Sequence, residues 1–89
     1  MDRKEILETA ATYVTQDRAA THGNAEDNTR TIAEFWSTYL GRTVTPEDVC
    51  AMMVLLKTAR IKSNPAHIDN WIDSAGYAAL GGERATASQ

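Results

Sequence analysis

The sequence predicts an all-α fold, a four-helix bundle assembled from helical hairpins, and three observations support this prediction. Apolar residues recur at spacings of three and four in four separate segments, which is the pattern of amphipathic helices. No stretch alternates apolar and polar residues at the period of two that indicates a β-strand. Turn-forming residues separate the segments at Gly23-Asn24, Gly41 and Asn64-Pro65, where helices are expected to begin or end.

The first two helices are expected over about residues 2–20 and 25–40. Asp2 and Asn24 are the predicted N-caps, because short polar side chains accept hydrogen bonds from the first helical turn. Gly41 is predicted to end the second helix in the left-handed conformation. The apolar stripe of this second helix, which we expect to face the core, consists of Ile32, Phe35, Trp36, Tyr39 and Leu40.

The third helix has the clearest beginning in the chain. Thr45 is its predicted N-cap, Pro46 its first helical residue, and Asp48 completes a capping box. The following run, 49–56, places apolar side chains around every face of the helix. Such a helix is buried on several sides, so it is predicted to be the central element or the seam of an oligomer. Its end is expected near Ser63.

The fourth helix is expected from about residue 65 or 66 to Leu80, where Gly81-Gly82 would terminate it. Its apolar face is predicted to contain Ile68, Trp71, Ile72, Ala75 and Ala79. We therefore expect one all-α domain over residues 1–81 and a polar C-terminal tail over residues 82–89.

The composition argues against several classes of protein. Nine basic and twelve acidic residues give a net charge of −3 and a pI near 5.2, whereas a general nucleic-acid binder carries a basic face. No apolar run approaches the ~18 residues of a membrane span, and the single Cys50 cannot form a disulfide framework or a cysteine zinc site. We expect a cytoplasmic protein that binds neither nucleic acid nor a membrane. We also expect a homo-oligomer, because a chain this short buries only about 60–65% of its unfolded surface.

Four charged residues are the strongest candidates for chemistry. Lys57 and Arg60 are three residues apart on the third helix, and Asp69 and Asp73 are four apart on the fourth, so each pair shares a helix face. The tight turn at Asn64-Pro65 predicts antiparallel packing of these helices, which brings Arg60 near Asp69 and Lys57 near Asp73.

Three interpretations of these residues remain open. They form two cross-helix salt bridges that hold the packing. Alternatively, Asp69 and Asp73 bind a divalent cation such as Mg²⁺ while Lys57 and Arg60 hold phosphates. In the third interpretation they are exposed charges without a shared role. Gly76, on the same stripe, indicates a close approach by either a ligand or another helix.

A second candidate site at the start of the second helix consists of Arg18, His22, Gly23, Asn24 and Asn28. Arg18 and Asn28 would bind an anionic cofactor there, together with the free helical N–H groups. The alternative is a capped turn with Asn28 in solvent. His22 and His67 have no partner at metal-ligand spacing, and Cys50, inside the apolar run, is predicted to be an inert buried thiol.

Several of these segments carry a resemblance to a known family. Residues 17–24, 45–49, 57–62 and 69–77 resemble a family of small helical proteins of unknown function encoded by phages and prophages. This resemblance covers about residues 1–81 and implies an all-α protein of phage origin that acts in the host-cell cytoplasm.

A more distant resemblance is to the MazG-like all-α nucleoside triphosphate pyrophosphohydrolases. Those enzymes hold Mg²⁺ with an E-x-x-E helix and an E-x-x-D helix; Glu5-x-x-Glu8 is similar to the first pattern, and Asp69-x-x-x-Asp73 stands in place of the second. The resemblance implies Mg²⁺-dependent binding or hydrolysis of a nucleotide, with Lys57 and Arg60 stabilising charge on the phosphates. The competing hypothesis is a non-enzymatic protein that binds a host protein or sequesters a nucleotide signal.

Overall fold

The computed structural model describes residues 1–17 and 24–87. Over these residues the chain forms four α-helices and no strand, which confirms the all-α prediction. The helices are α1 (Arg3–Thr12), which a π-helical segment (Tyr13–Asp17) continues, α2 (Ala25–Leu40), α3 (Pro46–Ser63) and α4 (Ile68–Thr86). Within the described ranges, none of the helices combines the length and the apolar character that a membrane crossing requires.

Helix α1 begins as predicted and changes geometry earlier than predicted. The Asp2 carboxylate accepts a hydrogen bond from the Glu5 backbone N–H, and the Glu5 carboxylate accepts one from the Asp2 N–H, which is a complete capping box. The α-helix ends at Thr12 and the chain is π-helical over Tyr13–Asp17, whereas residues 18–20 of the predicted helix lie outside the described residues. The hydroxyls of Thr12 and Thr15 donate to carbonyls four residues back and compete there with the backbone.

Helix α2 has the predicted bounds and caps. The Asn24 side chain accepts a hydrogen bond from the Asp27 N–H at 3.2 Å. Gly41 ends the helix at φ 67°, a left-handed conformation that a residue without Cβ adopts at little cost. The loop that follows is held by Ser37, whose hydroxyl accepts from the Val44 N–H at 2.8 Å.

The predicted orientation of the α2 aromatic stripe is wrong. Phe35 is 71% exposed and Tyr39 is 89% exposed, and Leu40 is also exposed. Over residues 27–40 of this helix, Thr29 and Ala33 are buried, and Ile32, Trp36 and Ser37 are half-buried, so Ile32 and Trp36 of the predicted stripe are partly covered. The physical reason is that α2 turns the side with Thr29 and Ala33 inward, while the bonds between Ser37 and Val44 fix the end of the helix to the loop that follows.

Helix α3 begins with the predicted capping box between Thr45 and Asp48 and ends at Ser63. It packs against both α2 and α4, just as α4 packs against both α3 and α1, so α3 is one of two inner helices of the described chain. The prediction of burial on several sides is wrong: Val49 and Cys50 are buried, whereas Leu55 is 69% exposed and Met52 and Leu56 are also exposed. The reason is that α2 and α4, the described helices that pack on α3, leave these three side chains uncovered.

Helices α3 and α4 form the predicted antiparallel hairpin. Lys57 of α3 contacts Asp73 of α4. Nearer the start of α3 the two helices approach so closely that a Cβ added at Gly81 would lie 2.9 Å from the Cys50 Cβ. Helix α4 begins at Ile68, later than predicted, and continues through Gly81-Gly82 to Thr86, so the predicted helix end is wrong. The division into a domain over 1–81 and a tail over 82–89 stays a prediction.

The core of the described chain is small. Its buried apolar residues are Ala10, Ala33, Val49, Cys50 and Ile72. Helix α1 completes this core by packing on α4, where a Cβ added at Gly76 would lie 3.0 Å from Val14 Cγ1. The close approach that Gly76 indicates is therefore the packing of a helical neighbour.

Candidate functional site

The predicted polar site is built where α3 meets α4. The Lys57 ammonium lies 2.9 Å from Oδ2 of Asp73, and the two side chains are 11% and 21% exposed. Because both side chains are partly buried, water solvates neither charge fully, and each charge is stabilised mainly by the other. This contact is the cross-helix salt bridge that the antiparallel register predicts.

The second predicted pair does not form. Arg60 is exposed, and among the described residues no carboxylate lies within ion-pair distance of it. Asp69 is 59% exposed and lies 3.8 Å from Nε2 of His67, a contact that is ionic only when the imidazole is protonated. The predicted four-residue site therefore consists of one closed pair, Lys57 with Asp73, and two separate exposed charges.

The predicted metal ligands, Asp69 and Asp73, lie one turn apart on α4. In the ranges 1–17 and 24–87, no three His, Cys, Asp or Glu side chains come together as a metal cluster. Mg²⁺ is usually held by one or two carboxylates together with phosphates and water. Asp73 would have to release Lys57 before it could bind the cation, and its role as a ligand stays a prediction.

The predicted anion site at the start of α2 is described only in part. Arg18 lies outside the described residues, and Asn28 is exposed in α2. The Asn24 side chain already accepts from one N–H of the first turn, as in the capped-turn alternative. The two residues of the E-x-x-E pattern are both exposed. The Glu5 carboxylate caps α1, and the Glu8 carboxylate lies 3.9 Å from the Lys4 ammonium.

Cys50 is buried between α3 and α4, as predicted. Burial raises the pKa of its thiol; the Glu47 carboxylate raises it further and the Arg84 guanidinium opposes the change. A thiol without a lowered pKa and without exposure is a poor nucleophile. Cys50 therefore serves packing.

An apolar cleft lies between the end of α2 and α3, and it is lined by residues that the sequence pattern predicted to be buried in the core. It is open, has a volume of about 360 Å³, and is lined by Trp36, Tyr39, Leu40 and Met52. Aromatic residues and methionine are the side chains that protein interfaces favour. The cleft can therefore accommodate apolar groups of a partner.

Three further exposed apolar residues lie at helical spacing from the residues that line the cleft. Phe35 lies one turn before Tyr39 on α2, and Leu55 and Leu56 lie one turn after Met52 on α3. We call this exposed area the α2–α3 apolar surface, which consists of Phe35, Tyr39, Leu40, Met52, Leu55 and Leu56. The signal in the sequence was the all-round apolar run of α3, for which an oligomer seam was one of two predicted roles.

Comparison with known proteins gives a family and phage relatives. Residues 5–85 match the family described as "Domain of unknown function (DUF6378)". The Gene 55 protein of Mycobacterium phage L5 is 45% identical over 76 residues, which is 84% of this chain and 49% of the relative. The Gene 55 protein of Mycobacterium phage D29 is 36% identical over 75 residues, 84% of this chain and 50% of the relative.

The chain thus spans about half the length of the curated relatives it matches. No solved structure matches it. The predicted resemblance to phage proteins of unknown function is confirmed, whereas the resemblance to MazG-like enzymes stays a prediction.

Proposed function

This chain belongs to the DUF6378 family, and from this premise we propose that it is a non-enzymatic protein-binding module that uses the α2–α3 apolar surface. The observation that carries the proposal is the exposure of Tyr39 and Phe35 on that surface, 89% and 71%. Large contiguous apolar patches on a folded protein mark interaction sites. Tyrosine beside an open cleft is also a typical anchor of a binding hot spot.

The state of the polar site supports the same proposal. Phosphate binding needs positive charge that is free to meet the ligand, and Lys57 is already neutralised by Asp73 at 2.9 Å. A module that binds a protein through apolar contacts needs no such charge. In this view the Lys57–Asp73 pair holds the α3–α4 hairpin, which in turn supports the binding surface on α3.

A photo-crosslinking experiment tests the proposal. The chain is expressed in mycobacterial cells, where the relatives' phages grow, with a photoreactive phenylalanine analogue in place of Tyr39. The control carries the same analogue in place of Thr12, which is exposed on α1. We expect a discrete covalent adduct from position 39 and none from position 12. No adduct from position 39, or the same adducts from both positions, would contradict a binding role for this surface.

Binding or hydrolysis of a nucleotide is the second candidate function. The observation that favours it is Arg60, an exposed cation about one turn from Lys57 with no carboxylate at ion-pair distance among the described residues. Lys57 and Arg60 would bind phosphate oxygens, and Asp69 and Asp73 would hold Mg²⁺ once the Lys57 contact opened. Two other expectations also stay predictions: that the protein binds a host protein, and that it acts in the host-cell cytoplasm.

The second candidate is tested with purified protein, Mg²⁺ and a panel of nucleoside triphosphates. Release of pyrophosphate that Asp73→Asn abolishes, with the helix content unchanged, would establish the enzyme and overturn the non-enzymatic proposal. We expect neither turnover nor a binding isotherm.

A further inference from the structure

We propose that the partner of the α2–α3 apolar surface is a second copy of this chain, so that two chains form a homodimer across it. This inference rests on the proposed function, because it names the protein that the surface binds. It goes beyond the general expectation of an oligomer by assigning the face, the partner and the residues that hold the dimer.

The distribution of large apolar side chains is the first argument. Among the described residues, Val49 and Ile72 are the large side chains that are fully buried. Six large apolar side chains lie instead on the α2–α3 apolar surface. Most of the other large apolar side chains are only half-buried, so the chain has few well-covered bulky groups, and small domains commonly obtain the missing layer by oligomerisation.

The total surface leads to the same conclusion. The chain exposes 6348 Å², whereas a folded monomer of its 9.8 kDa mass is expected to expose about 5200 Å². Its radius of gyration is 13.6 Å, compared with about 12 Å expected for a compact chain of this length. The chain is therefore less compact than is usual for a monomer of its size.

The apolar surface alone comes close to the area that a dimer needs. A fully exposed large side chain offers about 150–250 Å², and the exposed fractions of the six residues range from 39% to 89%. Together they leave on the order of 700 Å² accessible, close to the roughly 800 Å² per partner of a standard interface and above the patch of a typical monomer.

The arrangement of the surface also suits a second copy. None of its six residues is charged, so the six side chains themselves place no charge in the centre of a two-fold interface. A two-fold interface is formed by the same patch on both chains. Two α2–α3 hairpins packed face to face would form an intermolecular four-helix bundle, with Tyr39 and Met52 of each chain covering the cleft of the other.

Sedimentation equilibrium of the purified chain tests this inference. We expect twice the chain mass at tens of micromolar. Tyr39→Lys on α2 and Leu55→Lys on α3 are each expected to weaken dimerisation about 100-fold or more, because each substitution occurs twice in a symmetric interface and buries unpaired charge. The control is Thr12→Lys, which adds the same charge on α1 and should leave the dimer intact. Circular dichroism of each variant verifies that the helices form.

Three results would overturn the inference. The first is a monomer at all concentrations up to the solubility limit. The second is a dimer that both Tyr39→Lys and Leu55→Lys leave intact while remaining folded, because the contact would then lie on another face. The third is an adduct from position 39 that contains only a different protein; in that case the proposed function stands and the second copy is excluded as the partner. Absence of both a dimer and any adduct would overturn both proposals.

Discussion

Lys57 and Asp73 show at the scale of single residues how the packing of α3 on α4 uses charge. Their side chains are 11% and 21% exposed and 2.9 Å apart, so water compensates neither charge fully. A salt bridge in this position adds little more to the free energy of unfolding than well-packed apolar residues would. Removal of one partner nevertheless destabilises the fold strongly, because the remaining charge stays partly buried. The exposed pair Lys4–Glu8, 3.9 Å apart, provides the contrast.

Lys57→Met is therefore expected to lower the free energy of unfolding by about 2–4 kcal/mol, because the Asp73 carboxylate loses its partner. Urea denaturation followed by circular dichroism measures the change. The double variant Lys57→Met/Asp73→Leu should recover most of the loss, and Lys4→Met should cost less than about 0.5 kcal/mol. Equal losses in Lys57→Met and Lys4→Met would contradict the assigned role.

The buried thiol of Cys50 gives the molecule a pH dependence in the alkaline range. Burial raises the pKa of Cys50 in the folded state, so the unfolded state loses its proton at lower pH than the folded state does. The stability from this residue is fully present below the unfolded-state pKa, about 8.5 to 9, and is lost as the pH rises above it.

We predict that the free energy of unfolding of the wild-type chain falls more steeply between pH 7.5 and pH 9.5 than that of Cys50→Ala. Urea titrations of the two proteins at both pH values provide the measurement. Because the folded thiol is buried, iodoacetamide should also modify it much faster in urea than in buffer. Parallel pH profiles for the two proteins would show that Cys50 does not ionise differently on unfolding.

At the scale of elements, α4 shows how a contact can extend a helix past two glycines. Gly81 and Gly82 are adjacent, and both lie within the helix. A Cβ added at Gly81 would lie 2.9 Å from the Cys50 Cβ, whereas a Cβ added at Gly82 would have no neighbour within 4 Å. The helix then reaches Arg84, whose guanidinium lies 3.5 Å from the Glu47 carboxylate on α3. Packing on α3 therefore stabilises the last turns of α4 despite the low helix propensity of glycine.

Substitution of the two glycines separates packing from propensity. Gly81→Ala is expected to destabilise the chain by about 1–3 kcal/mol, because the Cβ meets the rigid Cβ of a neighbouring helix. Gly82→Ala is expected to stabilise it by about 0.5–1 kcal/mol, since alanine loses less backbone entropy in a helix. Thermal unfolding of both variants measures these opposite signs. If α4 instead ended at Gly81-Gly82 in the left-handed conformation, Gly82→Ala would destabilise the chain.

At the scale of the whole molecule, folding and association are connected. The described core contains few bulky side chains, while six lie on the α2–α3 apolar surface. If a second chain covers that surface, the dimer has buried apolar area that a single chain lacks. The stability of the chain is then partly the stability of its interface, as in obligate small dimers.

The melting temperature is accordingly expected to rise by several degrees when the chain concentration increases a hundredfold, because mass action favours the associated state. Scanning calorimetry over that range measures the shift. Tyr39→Lys should melt at a lower temperature that does not change with concentration, and Thr12→Lys should behave as the wild type. A concentration-independent melting temperature in the wild type would indicate a monomer that folds alone.

The sequence by itself determined the features that depend on neighbours along the chain. The caps Asp2, Asn24 and Thr45 are as predicted, as are the bounds of α2, because a cap is decided by hydrogen bonds among residues a few positions apart. The Lys57–Asp73 contact was also predictable, because a tight turn sets the register of an antiparallel hairpin.

Only the tertiary structure decided which way each helix faces and how far α4 extends. Helical periodicity shows that an apolar stripe exists, but it does not show whether the chain or a partner covers it. Phe35 and Tyr39 are outside because α2 turns Thr29 and Ala33 inward, and Gly82 is helical because α3 supports the last turns of α4. Both outcomes depend on contacts between residues distant in sequence, which local pattern does not encode.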